Sequence, residues 1–304
     1  LMASPDVSEG TKRMIAKLTV EERKLIAGNF SEASGTALIG ERPLATRARR
    51  VRGGYSITGR KMFASMLEAA DYCAVATYPD DATSPGAVLF LLVPQVADGR
   101  SVIANWDTLG MRATRSDSLV LEECWVPESA AVFQTDDFGD FRVDYGNWFW
   151  ASYTPVYLGV GIAAYNEVLK VLKERQPQGY SQPLSYHPDV RRQVAKMSVD
   201  LEAARLMTYH SAWLSDTDGP TPNTMAALFR AKYMVGEVVS NVTQTALKLG
   251  GAHAIFKGSR LEQLFRDGAI APIQTPPSDF CLYNVGLFET GLDARDVLPP
   301  LKPI

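Results

Sequence analysis

The sequence predicts an α+β protein: a helical remnant, then a central antiparallel β-barrel or sandwich, then a C-terminal four-helix bundle. Three observations carry this. After residue 24, short apolar or alternating runs are bounded by Gly, Pro and Asp. After Phe138-Gly139-Asp140 the apolar period lengthens to three and four. The chain has 304 residues, enough for about two domains at ~150 residues each.

Residues 1–26 read as helical, with Met14, Ile15 and Leu18 on one side. One short helix cannot bury that side alone, so residues 1–24 read as the remnant of a larger helical unit. The β-domain is expected over residues 25–135. Gly53-Gly54 separates Arg47, Arg49, Arg50 and Arg52 from Tyr55-Ser56-Ile57-Thr58, which predicts a hairpin. Residues 71–77, 87–93 and 118–126 read as strands. The bundle is expected over residues 136–304. Its first helix is the Ala- and Gly-rich stretch 151–165, with Pro155 near its start or kinking it. Val190, Val194, Met197, Leu201 and Ala204 mark a second helix. Met225, Leu228, Val235, Val239, Val242, Ala246 and Leu249 mark a third, with cap oxygens offered by Thr221–Thr224.

Composition narrows the function. Hydrophobic residues at 46% and charged ones at 21% exclude wholesale disorder. A formal charge of −3 without a long basic run argues against nucleic acid, and leaves Arg47–Arg52 as a solvated hairpin face. Cys73, Cys124 and Cys281 lie far apart with no CxxC pair, which supports neither a disulfide framework nor a metal site and points to the reducing cytoplasm. No run approaches the ~20 apolar residues of a membrane span. The opening LMASPDVSEG lacks signal-peptide regions and does not begin with Met, so the chain reads as a fragment or part of something longer.

Four segments occur in an order that resembles the acyl-CoA dehydrogenase superfamily of flavoproteins. Asn29-Phe30-Ser31-Glu32-Ala33-Ser34-Gly35-Thr36 is similar to that family's TEPxAGS loop, one residue shorter. Gly59-Arg60-Lys61-Met62-Phe63-Ala64-Ser65 is similar to GxKxWIT. Leu109-Gly110-Met111-Arg112-Ala113-Thr114 with Val126-Pro127-Glu128 is similar to LGxRxS…VFVPE. Gly250-Gly251 followed by Arg266-Asp267 is similar to GGxGY…RD.

The resemblance implies N-terminal helices, a barrel and a bundle, with FAD lodged between the last two. Most of the N-terminal helical domain is absent from this sequence. The implied cofactor contacts are Phe30, Ser31, Phe63, Ala64, Ser65, Arg175, Gly250 and Gly251, with Ser31 and Ser65 toward flavin N5. Thr36 would face an acyl-CoA-like thioester, and a homodimer or homotetramer is implied. Physically, a flavin needs a flat apolar wall and a few donors, because it carries the redox chemistry itself. Phe30-Ser31 and Phe63-Ala64-Ser65 supply that inventory. Arg112 and Arg115 read equally as a clamp on a CoA phosphate or carboxylate and as a solvated strand edge.

The departures concern the base. The family glutamate that takes the α-proton follows RD closely, and Thr275 occupies its position here. A threonine alkoxide is far too basic to form near neutral pH. The alternative Glu-Arg site, on the first bundle helix, aligns with Phe149-Trp150. In the pyrophosphate segment Arg175 is kept, Gln178 replaces a phenylalanine, and Leu247 replaces the glutamine of QxxGG. His253, near the flavin by position, and Asp279, the nearest carboxylate to Thr275, read respectively as structural and as a helix cap.

The expected function is therefore FAD-dependent α,β-dehydrogenation of an acyl-CoA-like thioester with a non-standard or missing base. A flavin monooxygenase on the same scaffold, where Gln274 sits at the position of an LHDP-type histidine, and a non-catalytic subunit are the competing readings.

Overall fold

The computed structural model describes residues 7–33 and 43–292, without the side chains of 138–145. It divides into two compact units, residues 1–108 with 112–145 and residues 109–111 with 146–304.

The first unit opens with α1 (Glu9–Ala16), continued by one π-helical turn at Lys17–Glu21. Ser8 caps α1 by accepting the Thr11 N–H at 3.1 Å. Met14 and Leu18 pack on a cluster that includes Phe30, Phe90 and Phe133. The apolar side expected to be orphaned thus rests on the sheet of its own unit.

Eight strands follow: β1 (Ile26–Asn29), β2 (Arg47–Val51), β3 (Gly54–Ala64), β4 (Tyr72–Pro79), β5 (Val88–Pro94), β6 (Arg100–Ile103), β7 (Asp117–Pro127) and β8 (Ala131–Thr135). They run in the order β6-β7-β3-β2-β4-β5-β8, with β1 on β4. The expected hairpin is the antiparallel β2–β3 pair. Two pairings, β1–β4 and β2–β4, are parallel, so the sheet departs from a purely antiparallel one. Parallel neighbours need long crossovers that leave no local signature, which is why short-range patterning missed them. The dense apolar run became β5, buried on both faces from Val88 to Val93. In the basic hairpin, Arg47 lies 4.5 Å from the Tyr78 ring centre and Arg50 reaches Glu128 at 2.9 Å.

The second unit contains α2 (Phe138–Glu174), α3 (Pro188–Asp218), α4 (Pro222–Gly250), α5 (Arg260–Gly268) and α6 (Ser278–Thr290), α2 starting in the first. The stretch expected at 151–165 is the middle of α2, which spans 37 residues, and Pro155 sits inside it rather than near its start. Proline there removes one backbone bond. Beside it, the hydroxyls of Ser152 and Thr154 donate to the carbonyls of Phe149 and Trp150 at 2.7 and 3.1 Å. Thr221 caps α4 as expected, accepting the Thr224 N–H at 3.2 Å. Leu201, Ala204, Val235, Val239, Val242 and Ala246 form the bundle core with Tyr157 and Leu158 of α2.

Gly54 tests the β3–β7 pairing. A Cβ there would lie 2.0 Å from the Val126 carbonyl oxygen. Gly54→Ala is expected to cost about 3 kcal/mol, because only backbone movement relieves that overlap. Thermal unfolding should show a Tm several degrees lower.

Candidate functional site

In the first unit the site grows from one buried ion pair. Lys61 on β3 and Glu32 in the loop after β1 approach to 2.6 Å, with side chains 0% and 2% exposed. Glu32 also accepts the N–H groups of Ala45 at 2.6 Å and Thr46 at 2.9 Å. Lys61 Nζ reaches the Phe30 carbonyl at 3.4 Å, and the Met62 N–H donates to the Ser31 carbonyl at 2.9 Å. Burial works to raise the Glu32 carboxyl, but Lys61 and Thr46 outweigh it and hold it below the usual carboxylate range. Burial pushes the Lys61 amine down to about 8 against the pull of Glu32.

This pair brings Phe30-Ser31 beside Lys61–Ser65. Phe30 is buried, 5.9 Å from the Phe90 ring centre, and Ala64 is buried in the main core. Their side chains are spent on packing, so any role toward a ligand falls to their backbone. Ser31 and Ser65 are half-buried. The β3–β7 register shifts between Lys61 and Ala64, and Phe63 takes φ +54°. Such a bulge re-aims a side chain. Phe63 is accordingly 62% exposed, edge-on to Trp106 at 6.1 Å. The Ser65 hydroxyl meets that of Ser116 at 2.7 Å, which meets Thr114 at 2.9 Å.

Arg112 is exposed and donates to the Thr108 carbonyl at 2.8 Å. Arg115 is held by Asp117 at 2.9 Å and Glu68 at 3.2 Å, so its charge is already answered within the chain. Thr36 lies outside the described residues.

In the second unit, Leu109–Met111 sit against Arg266-Asp267. The Met111 N–H donates to Asp267 at 2.6 Å, and Arg266 donates to the Leu109 carbonyl at 3.2 Å and to Glu262 at 2.5 Å. A Cβ on Gly110 would lie 2.0 Å from the Arg266 carbonyl oxygen, so the turn requires glycine. Arg175 donates to the Gly250 carbonyl at 3.1 Å, at the negative end of the α4 dipole. Gly251 has φ +73°, and a Cβ there would lie 2.5 Å from Arg175 Nη1. The three residues form one corner. His253 is exposed and stacks on Phe256 at 6.3 Å.

Thr275 is half-buried in the turn between α5 and α6. Lys232 on α4, 1% exposed, donates to the Ala271 carbonyl at 2.9 Å and lies 5.9 Å from the Tyr157 ring centre. Tyr157 Oη approaches Gln274 at 3.5 Å, and Cys281 Sγ approaches the Pro276 carbonyl at 3.6 Å. Burial raises Tyr157, and pushes Cys281 up to about 12 and Lys232 down. Glu237 on this flank is engaged by the Ser278 hydroxyl at 2.8 Å. Asp279 lies in the first turn of α6 rather than at its cap, which is Pro277.

Sequence reading missed Glu32 and Lys61 as partners, and Asp267, Lys232 and Ser116 altogether. Glu32, Lys61 and Asp267 stood inside the quoted motifs. A buried charge within such a segment was the available signal, since ionised side chains are buried only when partnered.

Residues 152–275 match the family model "Acyl-CoA dehydrogenase, C-terminal domain". YdbM of Bacillus subtilis is 29% identical over 247 residues, 81% of this chain and 62% of that protein. The mitochondrial short/branched chain specific acyl-CoA dehydrogenase of Bos taurus is 26% identical over 90% of this chain and 64% of its own length. The chain thus spans less than two thirds of these relatives. A glutaryl-CoA dehydrogenase from Mycobacterium smegmatis in complex with FADH2 superposes with a TM-score of 0.81 at 20% identity, covering 95% of this chain and 72% of that one. FMN-bound TdsC from Paenibacillus sp. A11-2 gives 0.83 at 20% identity, covering 94% and 75%. These two show the fold.

Lys61→Met tests the ion pair. It leaves Glu32 buried and uncompensated, with an expected loss of about 3–5 kcal/mol in thermal or urea unfolding. The lowered Glu32 carboxyl adds stability above its unfolded pKa that is lost as pH falls through the folded one. Glu32→Gln should flatten that acid limb of the Tm-versus-pH curve.

Proposed function

The chain is a member of the acyl-CoA dehydrogenase superfamily, and we propose that it is the barrel-and-bundle part of an FAD-dependent oxidoreductase acting on an acyl-CoA-like thioester. The observation that carries this is the first-unit rim, where an exposed phenylalanine on a β-bulge stands beside linked serine and threonine hydroxyls. Those groups fit a flavin. Phe63 offers an apolar ring outside the core, and Ser31 and Ser65 offer hydroxyls on segments tied together by Lys61 and Glu32. In the second unit, Arg175 with Gly250 and Gly251 would hold a pyrophosphate. One guanidinium N–H is spent on Gly250, which leaves the others of its fork for an anion. When bound, the flavin supplies hydride and electron transfer.

The chain's own groups near Thr275 are suited to holding protons, not to taking one from carbon. Tyr157 and Cys281 stay protonated at neutral pH, and Lys232 is committed to Ala271. Abstraction of an α-proton therefore has no carboxylate at the family position. Arg112, with no carboxylate partner among the described residues, is the better placed of the two arginines for a CoA phosphate or carboxylate. Thr36 belongs to the same substrate reading, as does assembly into a homodimer or homotetramer.

The vacant base position also favours a second reading, oxygen-dependent flavin chemistry that needs no α-proton acceptor. Anaerobic titration of the flavin-loaded protein with acyl-CoA separates the two. Bleaching supports the dehydrogenase, and a flavin indifferent to acyl-CoA supports the monooxygenase. A colourless protein that cannot be reconstituted with FAD overturns both.

Thr275→Glu places a carboxylate where the family carries one. It is expected to raise the rate of acyl-CoA-dependent bleaching by ~10² or more, as general-base catalysis does. Stopped-flow absorbance at the flavin band checks this.

A further inference from the structure

Beside the Thr275 turn, the second unit concentrates aromatic side chains around a donor that has nothing to donate to. Trp150 on α2 is 4% exposed, and its Nε1–H is buried with no hydrogen-bond partner. Its ring lies 5.0 Å from that of Phe229 on α4, which lies 5.9 Å from Phe280 on α6. Phe149 packs on Tyr153 at 4.7 Å, and Phe149, Phe280 and Tyr233 are half-buried around the same cluster. The cluster is continuous with the turn, because its third buried member, Cys281, contacts the Pro276 carbonyl.

Packing alone accounts for the rings but not for the nitrogen. An indole N–H removed from water without an acceptor costs about 1–3 kcal/mol, and phenylalanine would fill much of the same space without that cost. The position is also the one where some members of the superfamily keep a Glu-Arg pair, and here it holds Phe149-Trp150. Aromatic faces and edges favour planar, polarisable partners. A single fixed donor among them selects a ligand with one acceptor at the matching point.

We propose that this cluster recognises the acyl group and takes an aryl acyl chain whose ring oxygen accepts the hydrogen of Trp150 Nε1. The half-buried rings of Phe149 and Phe280 turn aside to admit it. The inference rests on the thioester reading above. It adds a substrate class and the residue that selects it.

The test is calorimetric titration of the flavin-loaded protein with 3-(4-hydroxyphenyl)propanoyl-CoA, 3-phenylpropanoyl-CoA and hexanoyl-CoA. The hydroxyphenyl thioester is expected to bind about tenfold more tightly than the phenyl one, the worth of one hydrogen bond. The phenyl thioester should in turn bind more tightly than hexanoyl. Trp150→Phe should abolish the hydroxyl's gain while keeping phenyl ahead of hexanoyl. Phe149→Leu, at a half-buried position, should narrow the gap between phenyl and hexanoyl and serves if Trp150→Phe does not fold. Equal affinity for the two aryl thioesters in the wild type overturns the proposal, as does a hydroxyl gain that survives in Trp150→Phe. Failure to bind any of the three overturns the thioester reading itself. Binding of all three without aryl preference overturns only the substrate class.

Discussion

Two charges removed from water in the first unit, Glu32 and Lys61, hold its candidate site together. Neither is tolerable there alone, since breaking one buried pair leaves the other ion without compensation. Together they use most of their hydrogen-bonding capacity on each other and on the backbone of Phe30, Ala45 and Thr46. A loop and a strand 29 positions apart in sequence are thereby locked side by side. The bulge that turns Phe63 outward begins immediately after Lys61, so the anchored lysine sets the point from which the exposed ring is aimed. Rigid support of this kind keeps a binding rim in shape without a ligand.

The second unit solves a similar problem with neutral groups and one cation. Lys232 is buried against a carbonyl and an aromatic face, and among the described residues no carboxylate lies within ion-pair distance of it. Its contact fixes Ala271, four residues before Thr275. The corner made by Arg175, Gly250 and Gly251 follows the same logic at the far end of α4. A cation meets the negative end of a helix, and the missing glycine side chain makes room for it. These anchors explain how the turn and the corner keep their form although the glutamate and the QxxGG glutamine are gone.

The protein therefore joins a well-supported scaffold to altered chemistry. Groups that shape the rim and corner are in place, whereas the group that would remove a proton from carbon is replaced by Thr275. Around that position Tyr157 and Cys281 are held in their protonated forms by burial.

Local pattern was enough for much of this. The β2–β3 hairpin, strands β4, β5 and β7, the Thr221 cap and the apolar stripes of α3 and α4 depend on neighbours within a few residues, so periodicity and turn chemistry reveal them. The loss of the base was also readable, because it is a matter of residue identity at one position. What only the tertiary structure decided involves partners far apart in the chain. The parallel pairing of β2 with β4, the Glu32–Lys61 bond, the outward Phe63 and inward Phe30, and the carboxylates that occupy Arg115 belong here. So does the unpaired Trp150 nitrogen. A residue type states what a side chain is able to bind, but burial and the identity of its distant neighbours settle whether that capacity is already spent.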